Sequence, residues 1–346
     1  MKRILLIKFT SLGDLIHALP AVTDASNAYP DLKIDWMIDE NFAEVATWHR
    51  SVDQIFLTSH RTWAKKIFKS IQPISSLIRS VRKTTYDLVI DGQGNFKTAL
   101  MALFMRGPTA GFDRKSVREW IASFAYQRTF AASKSAHAID RLRTLFASSL
   151  GYPYPTIPPD FGIEKSRFFS SLLIPKPYIV FIHNASWDTK LWPKEHAKTL
   201  IHWITEKGYK VLLPWGNEKE KGRASELCVN QDAILLPKLT LSAIGSLLCE
   251  AKACISMDTG LSHLAAALNV PSITLYGSTH SGLIGTCGNE QFHLQSQIPC
   301  APCNQKKCRF PGPSLNPPCL AALTPQQVVQ SLVQILDKPI LNICNK

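Results

Sequence analysis

The chain has no run of about 18 consecutive apolar residues, the length that a membrane-crossing helix requires. No G-x-G-x-x-G follows its first apolar run and no G-x-x-x-x-G-K-[ST] occurs, so dinucleotide oxidoreductase and P-loop readings lose their main support. No Asp-x-Asp pair is present either. Nothing in the sequence therefore demands a catalytic metal, and on the use of a divalent ion it is silent. Acidic residues are scarce in one place above all: none occurs between Gln54 and Tyr86.

Positive charge fills that gap. Of the 346 residues, 39 are Lys or Arg against 26 Asp or Glu, a formal net charge of +13. Such an excess calls for an anionic partner: nucleic acid, an anionic membrane surface or a phosphorylated substrate. Residues 1–150 alone hold 21 Lys or Arg and 13 Asp or Glu. Within the acid-free window, Arg61, Lys65, Lys66, Lys69, Arg79, Arg82 and Lys83 stand beside Trp63 and Phe68. This pattern reads either as a solvated helix face or as a basic platform for an anionic acceptor at a membrane surface. The first residues, Met1 to Lys8, read as a β-strand and not as a signal peptide. Nine cysteines without an export signal point to a reducing, cytoplasmic compartment.

Length and rhythm predict two α/β domains, 1–160 and 161–346, facing each other across a central cleft. Strands are expected at Ile4–Lys8, Lys33–Ile38, Gln54–Leu57 and Asp87–Asp91, with helices over Leu15–Ala28 and Ile67–Lys83. A Pro-rich stretch, 152–159, reads as the interdomain connection. Strands then resume at Tyr178–His183, Lys210–Leu213, Ala233–Leu235, Cys254–Met257 and Ser272–Tyr276.

Two turns hold the most chemistry. The apolar run Ala253–Met257 ends in Asp258-Thr259-Gly260 and opens a helix over Leu261–Leu268. Free backbone N–H groups and the positive end of a helix dipole then meet at one point, which suits a phosphate. Asp258 and Thr259 are also ordinary capping residues, and His263 reads equally well as a packed core histidine. The first strand ends in Phe9-Thr10-Ser11-Leu12-Gly13-Asp14, which brings the Asp14 carboxylate to a strand end at the start of the next helix.

Taken together, Ser11-Leu12-Gly13-Asp14-Leu15-Ile16-His17-Ala18-Leu19-Pro20, Asp91-Gly92-Gln93-Gly94 and Asp258-Thr259-Gly260-Leu261-Ser262-His263 resemble the heptosyltransferases of bacterial lipopolysaccharide core assembly. Within that family the sequence is most similar to heptosyltransferase I, with heptosyltransferase II the nearest competitor. The resemblance implies two Rossmann-like domains in the GT-B glycosyltransferase fold, an N-terminal one for the acceptor and a C-terminal one for the ADP-sugar. It implies inverting transfer of heptose from ADP-L-glycero-D-manno-heptose to Kdo-lipid A, by a monomer held peripherally at the cytoplasmic face of the inner membrane.

The resemblance also assigns roles. An inverting transfer needs one base for the attacking hydroxyl and one positive cradle for the leaving diphosphate. Asp14 is implied as the base, and Lys190 as the cation, with Ser186 near it. Thr259 and Gly260 would supply backbone donors, with Asp258 and His263 shaping the turn. Glu220, or Glu218 by a shift of register, would accept the ribose hydroxyls. Leu239 would wall the adenine. Ser11, Gly13, His60, Arg61, Lys65, Lys66, Arg118 and Arg141 are implied on the acceptor side.

The tail departs from heptosyltransferase I in a Cys/Pro-rich insertion at 298–320. Its Cys300, Cys303, Cys308 and Cys319 supply thiolates for a structural zinc or iron site, or remain free or bridged thiols. Two other classes compete with the transferase. A basic nucleic-acid-binding protein with a four-cysteine knuckle would show stacking motifs or a recognition helix, and neither is present. A nucleotide-sugar epimerase would not explain the basic acceptor platform.

Overall fold

The computed structural model describes residues 2–59, 62–63, 67–310 and 316–337. The chain divides into two compact units, Met1–Glu164 and Lys165–Lys346.

In the first unit, β1 (Arg3–Ile7), β2 (Lys33–Asp39), β3 (Val52–Thr58), β4 (Leu88–Asp91), β5 (Thr109–Phe112) and β6 (Arg128–Phe130) form one sheet, ordered β3-β2-β1-β4-β5-β6. In the second, β7 (Tyr178–Ile182), β8 (Lys210–Leu213), β9 (Ala233–Leu235), β10 (Ala253–Met257), β11 (Ser272–Tyr276) and β12 (Gln291–Gln295) are ordered β12-β11-β10-β7-β8-β9. Every pairing in both sheets is parallel. Parallel strands covered by helices on both faces must be apolar throughout. Accordingly Ile4, Leu5, Leu6 and Ile7 of β1 are fully buried, as are Ala253, Cys254, Ile255 and Met257 of β10.

Numbered from its own first strand, each sheet has the order 3-2-1-4-5-6 of the doubly wound Rossmann fold. That order reverses direction between β1 and β4, and again between β7 and β10. The loops leaving such a pair part to opposite faces, and a crevice opens between them beyond the strand ends.

Several expectations need correction. The helix expected over Leu15–Ala28 is two helices, Leu12–Ile16 and Leu19–Ala28. Pro20 sits in the first turn of the second, where its missing N–H costs nothing but where it could not continue a helix from before. The Pro-rich stretch is not a free connector. Arg143 donates to the Ile157 carbonyl at 3.1 Å and the Tyr154 hydroxyl to Asp140 at 2.9 Å, so the stretch is fastened to the first unit, which runs on to Glu164. Strands β5, β6 and β12 and the helix Ala138–Leu150 lie outside the elements that the sequence pattern predicts. That helix is tied to Leu19–Ala28 by a buried ion pair, Arg143 Nε to Asp24 Oδ2 at 2.6 Å. Among the described residues no helix is long and apolar enough to cross a membrane.

Candidate active site

Each unit has a cavity or polar cluster at its reversal point. In the first unit, the segments after β1 and β4 are sewn together by Gln93, whose side-chain oxygen accepts the N–H of Phe9 at 2.7 Å and of Thr10 at 3.2 Å. Gln93 is held in turn by Asp91, whose Oδ1 accepts the N–H groups of Gln93 and Gly94 at 2.8 and 3.0 Å while Oδ2 accepts the Tyr126 hydroxyl at 2.7 Å. Burial raises the Asp91 carboxyl above its usual range, opposed by these hydrogen bonds. The Asp-Gly-Gln-Gly motif is therefore scaffolding for the neighbouring loop.

Above it lies a cavity of about 370 Å³, lined by Asp14, Arg118 and Arg141 together with Lys8, His17, Gln93 and Lys134. Asp14 is the third residue of the helix Leu12–Ile16, and its Oδ2 accepts both the backbone N–H and the hydroxyl of Ser11 at 2.9 Å. Ser11 and Gly13 thus shape the turn that presents Asp14. Arg141 donates to the Ser116 carbonyl at 2.5 Å and stacks 5.1 Å from the Phe112 ring centroid. Its Nε is buried with no hydrogen-bond partner among the described residues, which suits it to an anion. Lys8 is buried with its Nζ on the Gly92 carbonyl at 3.0 Å. Burial pulls its ammonium below the usual lysine range, against the pull of Asp14 and Asp91. Among the lining residues, four cations surround one carboxylate.

In the second unit, Lys190 Nζ lies 2.6 Å from Asp258 Oδ2, which also accepts the Thr279 hydroxyl at 2.6 Å. His263 approaches the other oxygen at 3.8 Å. Burial alone would raise the Asp258 carboxyl; the His263 hydrogen bond and the Lys190 charge outweigh it and hold the group well below the usual range. Thr259 caps the helix Gly260–Ala267 with Ser262 in a reciprocal box, leaving Gly260 at its start. A separate cavity of about 430 Å³ is lined by Ser186, Glu218 and Glu220 with Asn184, Asp188 and Arg223. Glu220 already accepts the Gly216 N–H at 2.7 Å and the Asn217 amide at 2.8 Å, so a further ligand would use its remaining lone pairs.

The structure therefore groups Asp14, Arg118 and Arg141, then Lys190, Asp258 and His263, then Ser186 and Glu220. Leu239 is half-buried and lines neither cavity. His60, Arg61, Lys65 and Lys66 lie outside the described residues. Lys8, Lys134 and Thr279 escaped the sequence reading; Lys8 and Thr279 follow β1 and β11 by one and three residues, a position that could have flagged them.

The insertion is seated beside Lys190. The Thr189 hydroxyl donates to the Gln305 carbonyl at 2.7 Å, the Asn304 N–H to the Ser278 carbonyl at 2.7 Å, and the Lys190 and Lys306 ammonium groups both lie over the Trp187 ring, at 4.6 and 5.7 Å from its centroid. Cys319 is buried, and burial pushes its thiol up to about 11, with Cys303, Cys300 and Cys308 adding to the effect. Soft thiol donors are present, yet among the described residues no three His, Cys, Asp or Glu side chains meet as a metal-holding group.

Comparison with known proteins resolves the class. The chain matches glycosyltransferase family 9 (heptosyltransferase) over residues 74–313. It belongs to that family. This heptosyltransferase is 38% identical to lipopolysaccharide heptosyltransferase 1 of Pseudomonas aeruginosa, over 97% of the chain and 99% of the relative. It is 40% identical to lipopolysaccharide heptosyltransferase 1 of Salmonella typhimurium, over 84% and 92%. Its fold matches the structure of E. coli heptosyltransferase WaaC with ADP at a TM-score of 0.85 and 36% identity, covering 96% and 99% of the two chains. The complex of that enzyme with ADP-2-deoxy-2-fluoro heptose matches at 0.82 and 34%, with the same coverage. The heptosyltransferase is thus a glycosyltransferase of the GT-B fold.

Proposed function

We propose that this heptosyltransferase moves L-glycero-D-manno-heptose from ADP-heptose to the Kdo sugar of lipid A, the heptosyltransferase I reaction, with inversion at the anomeric carbon. The observation that carries the acceptor assignment is the charge of the first-unit cavity, where Lys8, Arg118, Lys134 and Arg141 surround Asp14. Four cations beside a lone carboxylate suit an acceptor sugar that itself bears carboxylates.

In this reading Asp14 takes the proton of the attacking hydroxyl as its oxygen bonds to the anomeric carbon. The bond from that carbon to the diphosphate breaks, and ADP leaves with the electron pair. Lys190 and the N–H of Gly260 stabilise the growing negative charge, while the Thr259 N–H is directed to the Ser262 hydroxyl at 3.4 Å. Ser186 and Glu220 share a cavity suited to the diphosphate and ribose; Leu239, implied against the base, lies outside its lining. The first unit takes the acceptor and the second the donor. Because a lipid-linked acceptor stays in its membrane, the enzyme works at the cytoplasmic face of that membrane.

Purified protein given ADP-heptose should add one heptose to Kdo-lipid A and none to the same molecule already bearing a heptose. Preference for the heptosylated molecule would move the assignment to heptosyltransferase II, and transfer to neither would end it.

A further inference from the structure

The helix Phe96–Leu103 is apolar on both sides. Its inner side buries Thr98, Ala99, Met101 and Ala102. Its outer side leaves Leu100, Leu103 and the following Phe104 in water, and the short helix Trp120–Ala125 packs alongside and adds exposed Trp120, Ile121 and Phe124. Phe124 is 70% exposed. Six large apolar side chains side by side exceed what an unattached surface ordinarily shows.

The charge around them has one sign. Residues 96–130 contain six Lys or Arg and two Asp or Glu. Both acids are engaged with backbone, Glu119 accepting the Phe96 N–H at 2.8 Å and Asp113 the Ser116 N–H at 2.8 Å. The cations Lys97, Arg106, Arg114, Lys115, Arg118 and Arg128 are all exposed. Arg114 lies over Trp120 at 5.2 Å, a pairing that keeps a guanidinium beside an aromatic ring at a polar–apolar boundary.

The patch is continuous with the first-unit cavity. Arg118 lines that cavity, and the next residue, Glu119, donates its N–H to the Gly94 carbonyl at 3.1 Å and caps the helix Phe96–Leu103. From the cavity wall to Trp120 is two residues.

We infer that this apolar face with its cationic rim seats the enzyme on an anionic lipid bilayer, its aromatic and leucine side chains entering the headgroup zone while the arginines meet lipid phosphates. Aromatic and aliphatic groups rimmed by Lys and Arg are the combination that binds such an interface. A second copy of the chain is a poor occupant, because a two-fold interface would set the same cationic rim against itself. The inference rests on the proposed glycolipid acceptor for its purpose, but its test does not.

Wild-type protein should co-sediment with vesicles of phosphatidylglycerol and phosphatidylethanolamine, much less with phosphatidylcholine alone, and release as salt rises. Leu103→Ser with Phe124→Ser, which leaves charge unchanged, should weaken vesicle binding about tenfold or more. The variant should keep wild-type thermal stability and wild-type turnover of an acyl-free, water-borne Kdo acceptor. Brominated lipid should quench the fluorescence of the wild type but do so less in Trp120→Phe. Vesicle binding that is absent in the wild type, or unchanged in the double variant, overturns the inference. So does a wild-type dimer that the double variant converts to monomer, since a second copy then covers the face. Vesicle binding without heptose transfer to any Kdo acceptor would instead sink the acceptor assignment and leave the docking face standing.

Discussion

Lys190 and Asp258 form an ion pair of 2.6 Å whose acid is almost wholly buried and whose base is only partly so. The pair joins the short turn after β7 to the Asp-Thr-Gly turn after β10, the two strands flanking the reversal point of the second sheet. Asp258 thus fixes the lysine, with Trp187 against its ammonium. A cation held in this way needs no reorganisation when charge develops on a leaving diphosphate.

Lys190→Ala should lower kcat/KM for ADP-heptose by roughly 10²–10³-fold. It also leaves a buried carboxylate without its counter-charge, a loss on the order of 3–5 kcal/mol in stability. Steady-state kinetics normalised to folded protein, together with thermal unfolding, separate the two effects. Unchanged catalytic efficiency in the folded fraction would remove Lys190 from the reaction.

Asp14→Asn preserves the shape of the side chain and an oxygen able to accept from Ser11, so the turn and ADP binding should survive. The amide cannot take the hydroxyl proton. Turnover should fall by about 10²–10⁴-fold. The readings are heptose transfer and ADP affinity by calorimetry; turnover like the wild type's would refute the base assignment.

The buried pair Arg143–Asp24 makes a purely structural test. Both side chains are 3% exposed, and Asp24→Ala would strand a guanidinium inside the first unit. The cost should be about 3–5 kcal/mol, whereas the double change Asp24→Leu with Arg143→Met should recover much of it. Chemical denaturation of the three proteins checks this, and a single variant as stable as the wild type would show that Arg143 finds another partner.

How legible the molecule is from sequence depends on how local each feature is. The strand β10, the Asp258 turn and the helix after it lie within 15 residues, and an apolar run followed by capping residues marks all three. The short strands β6 and β12 carry no such mark: they are three and five residues long, part-exposed, and are strands because β5 and β11 offer them hydrogen bonds. The first-unit cavity is harder still. Lys8, Gln93, Lys134 and Arg141 meet only because β1 and β4 are neighbours in the sheet and the helix Ala138–Leu150 packs against Leu19–Ala28, relations that periodicity along the chain does not encode. The family motifs stand in for that missing information at Asp14 and Arg141, and are silent on Lys8. The exposed apolar face is missed because the sequence pattern of the helix Phe96–Leu103 is that of a buried one.

His183, at the end of β7, supplies a pH test of the second unit. It is fully buried, Asn184 donates to its Nε2 at 3.0 Å, and burial together with the nearby Arg223 charge lowers its pKa to about 3. In the unfolded chain it titrates near 6.5. Above that pH the ring is neutral in both states and its contribution is fully present. Between pH 6.5 and about 3 the unfolded chain binds a proton that the folded protein refuses, so stability must fall as pH falls. The loss should be about 1.6 kcal/mol on going from pH 6.5 to pH 5. His183→Gln keeps a side chain able to accept from Asn184 but removes the titration, so its stability should change less over the same interval. Urea unfolding at several pH values measures both slopes, and equal slopes for the two proteins would place the acid sensitivity on another group.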